Sequence, residues 1–336
     1  MKKIAALSII LLIAACATTP HKSSGLIYMQ QGQFDKAVKE FKLWVEETPN
    51  NPEAHLWLGR AYIGLRKYTD AADEFVKAYD LDSDTGKVRK EMQENELNTL
   101  LTAGKQMFQQ GDDEKALKYF KYATKLNPED ERPYLAVAII YNKQGDYQKA
   151  YEYAKKASEL NPKDAQAHFY MAKFLQAESK NDAAKNELLK TIELDSTFSK
   201  AYFDLGVMFF DEKNFKEAEK YFKKVISLDS TNLDAWLNLG LSAYRNNDYE
   251  KAEKVFKKYL ELNPEDSQTW FLLGTTYFQL KKYEDAIKSF DEVIKLEPKN
   301  VDAYNFKALI YNKMGKKKEL NETLKKIQEL QKENKQ

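Results

Sequence analysis

Apolar residues recur at spacings of three and four along most of the chain, which places them on one face of a helix. The pattern is interrupted at regular intervals. Four interruptions carry a glycine that suits a turn between two helices, and five carry a proline where a helix must stop. These residues are Gly32, Gly111, Gly145 and Gly315, and Pro49, Pro128, Pro162, Pro264 and Pro298. The pattern therefore predicts short amphipathic helices arranged in pairs.

Three sets of small and aromatic residues share one period. The alanines recur at a constant interval, apart from one longer interval between the second and the third: Ala37, Ala71, Ala116, Ala150, Ala184, Ala218, Ala252 and Ala286. Four residues after each alanine come Phe41, Phe75, Phe120, Ala154, Leu188, Phe222, Phe256 and Phe290. Twelve residues before each come Gly25, Gly59, Gly104, Ala138, Ala172, Gly206, Gly240 and Gly274. Small residues let two helices approach closely, and the aromatic residue fills the space beside them.

This register resembles the tetratricopeptide repeat (TPR), a helix-turn-helix unit of about 34 residues with the pattern W-x-x-L-G-x-x-Y, then A-x-x-x-F, then P. One unit matches throughout, with Trp270, Leu273, Gly274, Tyr277, Ala286, Phe290 and Pro298. The unit before it lacks only the tyrosine, which is displaced to Tyr244. The resemblance implies an all-α fold, a right-handed α-solenoid of about nine TPR repeats, because single hairpins cannot bury their apolar faces.

The register divides the chain into a leader, a tether and a solenoid over 24–334. Nine repeats are expected: 18–51, 52–85, 97–130, 131–164, 165–198, 199–232, 233–266, 267–300 and 301–334. They are numbered 1 to 9 below, and a residue's position is counted from the first residue of its repeat. The extra segment 86–96 is either a longer first helix of repeat 3 or a break in the superhelix. The last repeat has the polar backing expected of a terminal cap.

The N-terminus has the features of a secretory leader. Lys2 and Lys3 precede an apolar run over residues 4–15 that is too short to span a membrane. Small residues stand directly before Cys16, the only cysteine, and this setting resembles the bacterial lipobox. The resemblance implies removal of the signal peptide 1–15, acylation of Cys16 with chains such as palmitate, and a lipid tether over 16–23. An ordinary cleaved signal with an incidental cysteine is the alternative.

Composition argues against several other classes of function. Lys and Arg total 53 and Asp and Glu total 52, so the chain lacks the basic excess typical of nucleic-acid binding. His55 and His168 both stand at position 4 of their repeats and are interpreted as packing residues, while His21 lies in the expected tether. No metal-ligand spacing, phosphate loop or catalytic constellation is recognisable. We therefore expect no metal, no cofactor, no small-molecule substrate and no enzymatic activity.

TPR arrays bind peptides or proteins, and the resemblance places those contacts on the first helix of each unit. In repeats 6 to 8 the corresponding residues are Phe203, Val207, Phe210, Leu237, Leu241, Tyr244, Phe271, Thr275 and Phe278. The expected function is a membrane-anchored scaffold for protein partners in assembly of a cell-envelope complex, similar in layout to the TPR lipoproteins that act as type IV pilus pilotins. A component of a polysaccharide or protein export system is the alternative. Ala17 after the cysteine favours the outer membrane, facing the periplasm.

Overall fold

A computed structural model describes residues 20–82 and 86–333, and the regular secondary structure in these ranges is entirely helical. The chain divides into two compact units between residues 162 and 163. The first unit contains α1 (Pro20–Gln30), α2 (Phe34–Glu47), α3 (Pro52–Gly64), α4 (Tyr68–Leu81), α5 (Lys87–Glu91), α6 (Glu94–Gln109), α7 (Asp113–Leu126), α8 (Glu131–Gln144) and α9 (Tyr147–Leu160). The second contains α10 (Ala165–Ala177), α11 (Asn181–Leu194), α12 (Ser199–Asp211), α13 (Phe215–Leu228), α14 (Leu233–Arg245), α15 (Tyr249–Leu262), α16 (Ser267–Gln279), α17 (Tyr283–Leu296), α18 (Val301–Met314) and α19 (Lys317–Glu333).

Within each unit the helices form hairpins that stack in chain order. In the first unit the pairs are α1 with α2, α3 with α4, α6 with α7 and α8 with α9, and the second helix of each pair packs on the first helix of the next. In the second unit the same arrangement runs from α10 with α11 to α18 with α19. The predicted all-α stack of hairpins is confirmed within each unit.

Helix boundaries follow from short polar residues and tight turns. Ten helices begin after an Asp or Asn whose side chain accepts a hydrogen bond from a free backbone N–H of the first turn. Between paired helices, position 15 has a left-handed backbone in all nine repeats. Glycine occupies it in four repeats, and the other five have Arg66, Ser179, Lys213, Asn247 and Lys281. The sequence pattern had identified only the glycine turns.

The contact between the paired helices depends on a match between positions 8 and 24. In six repeats position 8 is glycine, and a Cβ built there would lie 2.3 to 2.9 Å from the ring of the phenylalanine at position 24. These rings are buried, and five of the six are fully buried. Where position 8 is Ala138 or Ala172, position 24 is the smaller Ala154 or Leu188, and all four are buried. The glycine therefore provides the volume that the aromatic ring fills.

The extra segment 86–96 forms a separate short helix and also lengthens the next one. α5 packs on α3 and α4 and buries Val88, while α6 begins three residues before the expected start of repeat 3. The guanidinium of Arg60 on α3 donates to Glu96 at 2.7 Å and to the carbonyl of Glu91 at 3.1 Å. Because α4 still packs directly on α6, stacking continues across the insertion.

Candidate partner-binding surface

The nine residues expected to bind partners lie on α12, α14 and α16 of the second unit. They occupy positions 5, 9 and 12, and residues so spaced share one helix face. We call this set the inner lane; it comprises Phe203, Val207, Phe210, Leu237, Leu241, Tyr244, Phe271, Thr275 and Phe278. Eight of these side chains are half-buried, and Thr275 is buried. The inner lane thus presents apolar side chains that are partly accessible.

Each aromatic ring at position 12 packs against a ring at position 17 of its own repeat. The centroids of Phe210 and Phe215 are 5.3 Å apart with an interplanar angle of 67°. Tyr244 and Tyr249 form the same contact at 5.3 Å and 72°. The rings of Phe278 and Tyr283 are 6.0 Å apart and tilted. Such ring contacts restrict the orientation of these side chains, and part of each ring remains exposed.

The rings at position 5 cover the core. The ring centroid of Phe203 lies 5.6 Å from that of the buried Phe222. The ring centroid of Phe271 lies 5.4 Å from that of the buried Phe290 and 5.3 Å from that of Phe306. The contacts show that these two rings do contribute to packing, so replacing them would also affect stability.

The remaining lane residues are aliphatic or already hydrogen-bonded. Val207, Leu237 and Leu241 pack against the hydrophobic core of the second unit. Thr275 is 9% exposed, and its hydroxyl donates to the Leu272 carbonyl of its own helix at 2.8 Å. The hydroxyl oxygen can still accept a hydrogen bond from a partner, but it could donate to one only by giving up this bond.

Charged side chains lie beside both ends of the lane. Burial raises the pKa of Asp204, the neighbour of Phe203, although the ammonium of Lys173 lies 3.1 Å from its carboxylate and acts in the opposite direction. At the other end, the ammonium of Lys313 is 5.8 Å from the ring centre of Phe278. The lane is therefore an apolar surface with the Lys173–Asp204 ion pair beside it.

On the corresponding helices of the first unit, most basic side chains are paired. Lys22 contacts Glu53 at 2.7 Å, and Arg60 is held by Glu96. Lys105, at position 9 of repeat 3, is exposed and has no hydrogen bond or ion pair with any residue of the described ranges. Leu26, Leu56 and Leu101 at related positions are apolar, so the basic and asparagine pattern by which some TPR proteins clamp a carboxylate is absent, as the sequence indicates.

The first unit contains a cavity that the sequence pattern did not predict. It has a volume of about 340 Å³ and lies between α6 and α8 over the ring of Phe120, with Lys105 and Arg132 beside it. At position 6, repeat 4 has Ala136, whereas repeats 2, 5, 8 and 9 have the larger Trp57, Tyr170, Leu272 and Phe306. Without the packing of neighbouring repeats, one small residue could not be recognised as an opening.

The expected signal peptide and Cys16 lie outside the described residues. Residues 20–23, assigned to the tether, belong to α1, so His21 stands at position 4 of a repeat rather than in a linker. Among the helices described, none has the length and apolarity required to cross a membrane. Across 20–82 and 86–333, no group of three or more His, Cys, Asp or Glu side chains could hold a metal ion.

Family models match several stretches of these hairpins. A model described as tetratricopeptide repeat matches residues 23–85 and 101–165, and a second of the same description matches 141–205. A TPR repeat model matches 274–315. The chain is a TPR protein. A further model, described as anaphase-promoting complex, cyclosome, subunit 3, matches residues 211–293 of the TPR array.

Individual similar proteins are distant. The protein CTR9 homolog of Arabidopsis thaliana is 28% identical over 114 residues, which is 33% of this TPR protein and 9% of that one. The solved C-terminal part of a TPR repeat-containing protein from Cytophaga hutchinsonii is 20% identical, with a TM-score of 0.59, covering 68% of this chain and 95% of that one. YrrB, described as a TPR protein with an unusual peptide-binding site, is 21% identical, with a TM-score of 0.51, covering 55% and 96%. These structures establish the TPR fold alone.

Proposed function

We propose that this TPR protein is a lipid-anchored scaffold that binds peptide or protein partners through the inner lane and assists assembly of a cell-envelope complex. TPR proteins are generally scaffolds without catalytic activity, and we extend that role to this chain. The proposed location is the outer membrane, on the periplasmic side. The observation that carries the binding role is the set of half-exposed rings at position 12, held in fixed orientations by their neighbours.

Fixed aromatic rings suit recognition because little conformational freedom is lost when a partner covers them. Aromatic side chains also dominate many interfaces, where single truncations often cost about 2 kcal/mol or more. Phe210 and Phe278 are the best probes of the lane, because both are phenylalanines at position 12 and neither covers a core phenylalanine as Phe203 and Phe271 do. Their loss should affect binding more than folding.

Replacing Phe210 and Phe278 together by Ser should weaken partner capture about thirtyfold, if each loses about 1 kcal/mol and the effects add. Partners would be recovered from detergent-solubilised envelope and identified, and the affinity of an identified partner would then be measured. Leu228→Ser with Leu262→Ser is the matched control. Both leucines are apolar like the two phenylalanines, and they are exposed, at 36% for Leu228 and 41% for Leu262, but they lie outside the lane. Undiminished capture by a folded lane variant would place binding elsewhere. A large fall in melting temperature would assign the rings to the core.

The anchor rests on the residue pattern before and at Cys16. A protein held only by its acyl chains should leave the membrane when the acylated sulfur is removed. When cells are fractionated, Cys16→Ser should therefore appear in the soluble fraction if its leader is removed. If the leader is not removed, the variant should be recognisable as a longer precursor. If the variant pellets as fully as the parent and its leader is removed, the anchor proposal is wrong.

A further inference from the structure

The first repeat exposes two aliphatic side chains, one on each helix of its hairpin. Ile27 on α1 is 52% exposed, and Leu43 on α2 is 41% exposed. Ile27 stands at position 10, which is at most 8% exposed in seven of the eight later repeats. In repeat 4, for example, Ile140 at this position shares a core cluster with Phe120 of the preceding repeat. Position 10 therefore packs against the repeat before it.

Positions 19, 23 and 26 of the second helix also face the preceding repeat. In repeat 3, the ammonium of Lys115 lies 3.0 Å from the carboxylate of Asp73 in repeat 2, and the hydroxyl of Tyr119 donates to the same carboxylate at 2.8 Å. The hydroxyl of Tyr122 donates to Asp80 of repeat 2 at 2.6 Å. In repeat 1 no described repeat covers the corresponding surface. We call it the leading face; it comprises Ile27, Lys36, Glu40 and Leu43.

The short connection to Cys16 limits what can cover the leading face. Only residues 17–19 separate Cys16 from Pro20, the first residue of α1. A chain reaches at most about 3.6 Å per residue, so Pro20 lies within about 14 Å of Cys16. If acyl chains on Cys16 are buried in a bilayer, as proposed above, the first repeat must stay at the membrane surface.

The charged groups of the leading face are compatible with lipid headgroups. The carboxylate of Glu40 is already engaged by the imidazole of His21 at 2.8 Å. The ammonium of Lys36 lies 5.4 Å from the ring centre of Tyr28 and forms no ion pair with any residue of 20–82 and 86–333. Lysine beside aliphatic side chains is typical of surfaces that bind the interface of anionic membranes.

We propose that the leading face lies against the lipid bilayer beside the acyl chains of Cys16. Ile27 and Leu43 enter the boundary between headgroups and acyl chains, and Lys36 pairs with a lipid phosphate. The contact gives the first repeat a defined orientation on the membrane. It rests on the proposed acylation of Cys16 and adds a second membrane contact that uses none of the residues of the inner lane.

Spin labels on the acylated full chain test this contact. Cys16 is the only cysteine and its sulfur carries the lipid, so Gln33→Cys or Gln148→Cys supplies the single free thiol. Gln33 borders the leading face, because it stands at position 16, where Lys282 of repeat 8 reaches Glu253 of the preceding repeat. Gln148 is an exposed glutamine on α9 of the same unit and provides the matched control.

The labelled protein is reconstituted into vesicles of phosphatidylethanolamine and phosphatidylglycerol. Electron paramagnetic resonance then measures how often each label collides with oxygen, which enters lipid, and with a nickel chelate, which stays in water. Partial burial of two aliphatic side chains should favour the docked orientation at least about tenfold. The Gln33 label should therefore be accessible to oxygen and shielded from nickel, whereas the Gln148 label should be accessible to nickel.

Substitutions on the leading face locate the contact. Ile27→Glu with Leu43→Glu should remove the shielding of the Gln33 label while the protein still floats with the vesicles in a density gradient. Leu189→Glu with Leu262→Glu is the matched control, since each leucine is 41% exposed and lies outside the leading face, and this pair should leave the shielding intact. If circular dichroism shows that the first variant has lost helix, Ile27→Gln replaces it, because repeat 3 has glutamine at position 10.

The outcomes separate this contact from the anchor. Protein that does not float with the vesicles would overturn the anchor and, with it, the membrane contact. Floating protein whose two labels are equally accessible to nickel would overturn the contact while the anchor stands. A Gln33 label shielded from both oxygen and nickel would indicate burial against protein, such as a second copy of the chain, and would contradict the proposal. Shielding that persists in the folded variant would also contradict it.

Discussion

Two groups of repeats differ at one contact between their paired helices, where position 4 meets position 23. Repeats 1, 2 and 5 have a histidine and a glutamate there, with nitrogen-to-oxygen distances of 2.8 Å in His21–Glu40, 2.5 Å in His55–Glu74 and 2.7 Å in His168–Glu187. Repeats 4 and 6 have two tyrosines, with centroids 6.3 Å apart in Tyr134–Tyr153 and 6.4 Å apart in Tyr202–Tyr221. The same space thus accepts a histidine–glutamate pair or an aromatic pair.

In repeat 2, the contacts of the pair determine its protonation. Nδ1 of His55 faces the carboxylate of Glu74, and Nε2 lies 3.0 Å from the carbonyl of Pro49. A carbonyl and an ionised carboxylate can only accept hydrogen bonds, so both ring nitrogens must carry hydrogen when both bonds form. Burial lowers the pKa of His55, but the bonds to Glu74 and Pro49 outweigh it and the pKa is raised. Burial raises the pKa of Glu74, but bonds from His55 and Lys77 outweigh it and the pKa is lowered.

The largest effect should come from removing one member of this buried pair. Glu74→Met leaves the imidazole without its acceptor, and we expect a loss of about 3 kcal/mol in the free energy of local opening at about pH 5.5. Hydrogen exchange of α3 and α4 measures it, because a stack of repeats need not unfold in one step. The matched variant Tyr153→Phe removes one hydroxyl from the aromatic pair of repeat 4 and should change α8 and α9 by less than about 0.5 kcal/mol. Similar losses of opening free energy in repeats 2 and 4 would contradict the distinction between the histidine–glutamate pair and the tyrosine pair.

A smaller effect is expected when the whole pair is exchanged. His55→Tyr with Glu74→Tyr copies repeat 4 into repeat 2, and buried ion pairs can often be replaced by packed apolar groups at little cost. The double variant should lie within about 1 kcal/mol of the parent and should be more stable than Glu74→Met alone. If it is less stable than the single variant, position 4 and position 23 of repeat 2 do not accept the aromatic contact.

Much of this architecture could be predicted from the sequence, since the shared period of alanine, glycine and phenylalanine reports directly on helix pairing. His55 was correctly placed as a packing residue, and it is 4% exposed. Its partner was not foreseen, although each of the three histidines is followed by a glutamate at the same spacing along the chain. That spacing acquires meaning only when the two helices of a repeat are known to bring positions 4 and 23 together. The cavity beside Ala136 was not foreseen either, because it depends on contacts between two neighbouring repeats.

A change of pH should distinguish the stability of repeat 2 from that of the repeats with two tyrosines, without any substitution. Because the pKa of His55 is raised, its contribution to stability is complete below its usual value of 6.5 and is lost as the pH rises through the folded-state value. Because the pKa of Glu74 is lowered, its contribution is complete above its usual value of 4.5 and is lost as the pH falls through the folded-state value. Protection of α3 and α4 should therefore be greatest between these values.

The control for this pH dependence is repeat 4, whose corresponding pair contains neither a histidine nor a carboxylate and where burial raises the pKa of Tyr134 above its usual value. Hydrogen-exchange rates, corrected for their intrinsic dependence on pH, should show weaker protection of α3 and α4 at about pH 8 than at about pH 5.5, with α8 and α9 as reference. The double tyrosine variant should remove the difference. Equal pH responses of repeats 2 and 4 would show that the pair does not bind the additional proton.

The smallest effect is expected at the pair of repeat 1, which is more exposed than the pair of repeat 2. The hydrogen bond with Glu40 raises the pKa of His21, and Glu47 lies 3.4 Å from its other ring nitrogen. Its side chain is 27% exposed, however, and solvent screens such contacts. His21→Gln should change the exchange of α1 and α2 less than Glu74→Met changes α3 and α4. An effect as large as that of Glu74→Met would mean that exposure does not govern the strength of these pairs.

The match between positions 8 and 24 has a consequence for how such a chain can recombine. A crossover that joined the first helix of repeat 5 to the second helix of repeat 6 would set Ala172 against Phe222, where a Cβ in place of Gly206 lies 2.7 Å from the ring. The reciprocal product would set Gly206 against Leu188 and leave a void. At this contact, helices can therefore be exchanged without a clash or a void only among the six repeats that pair glycine with phenylalanine, and the helices of repeats 4 and 5 do not match them.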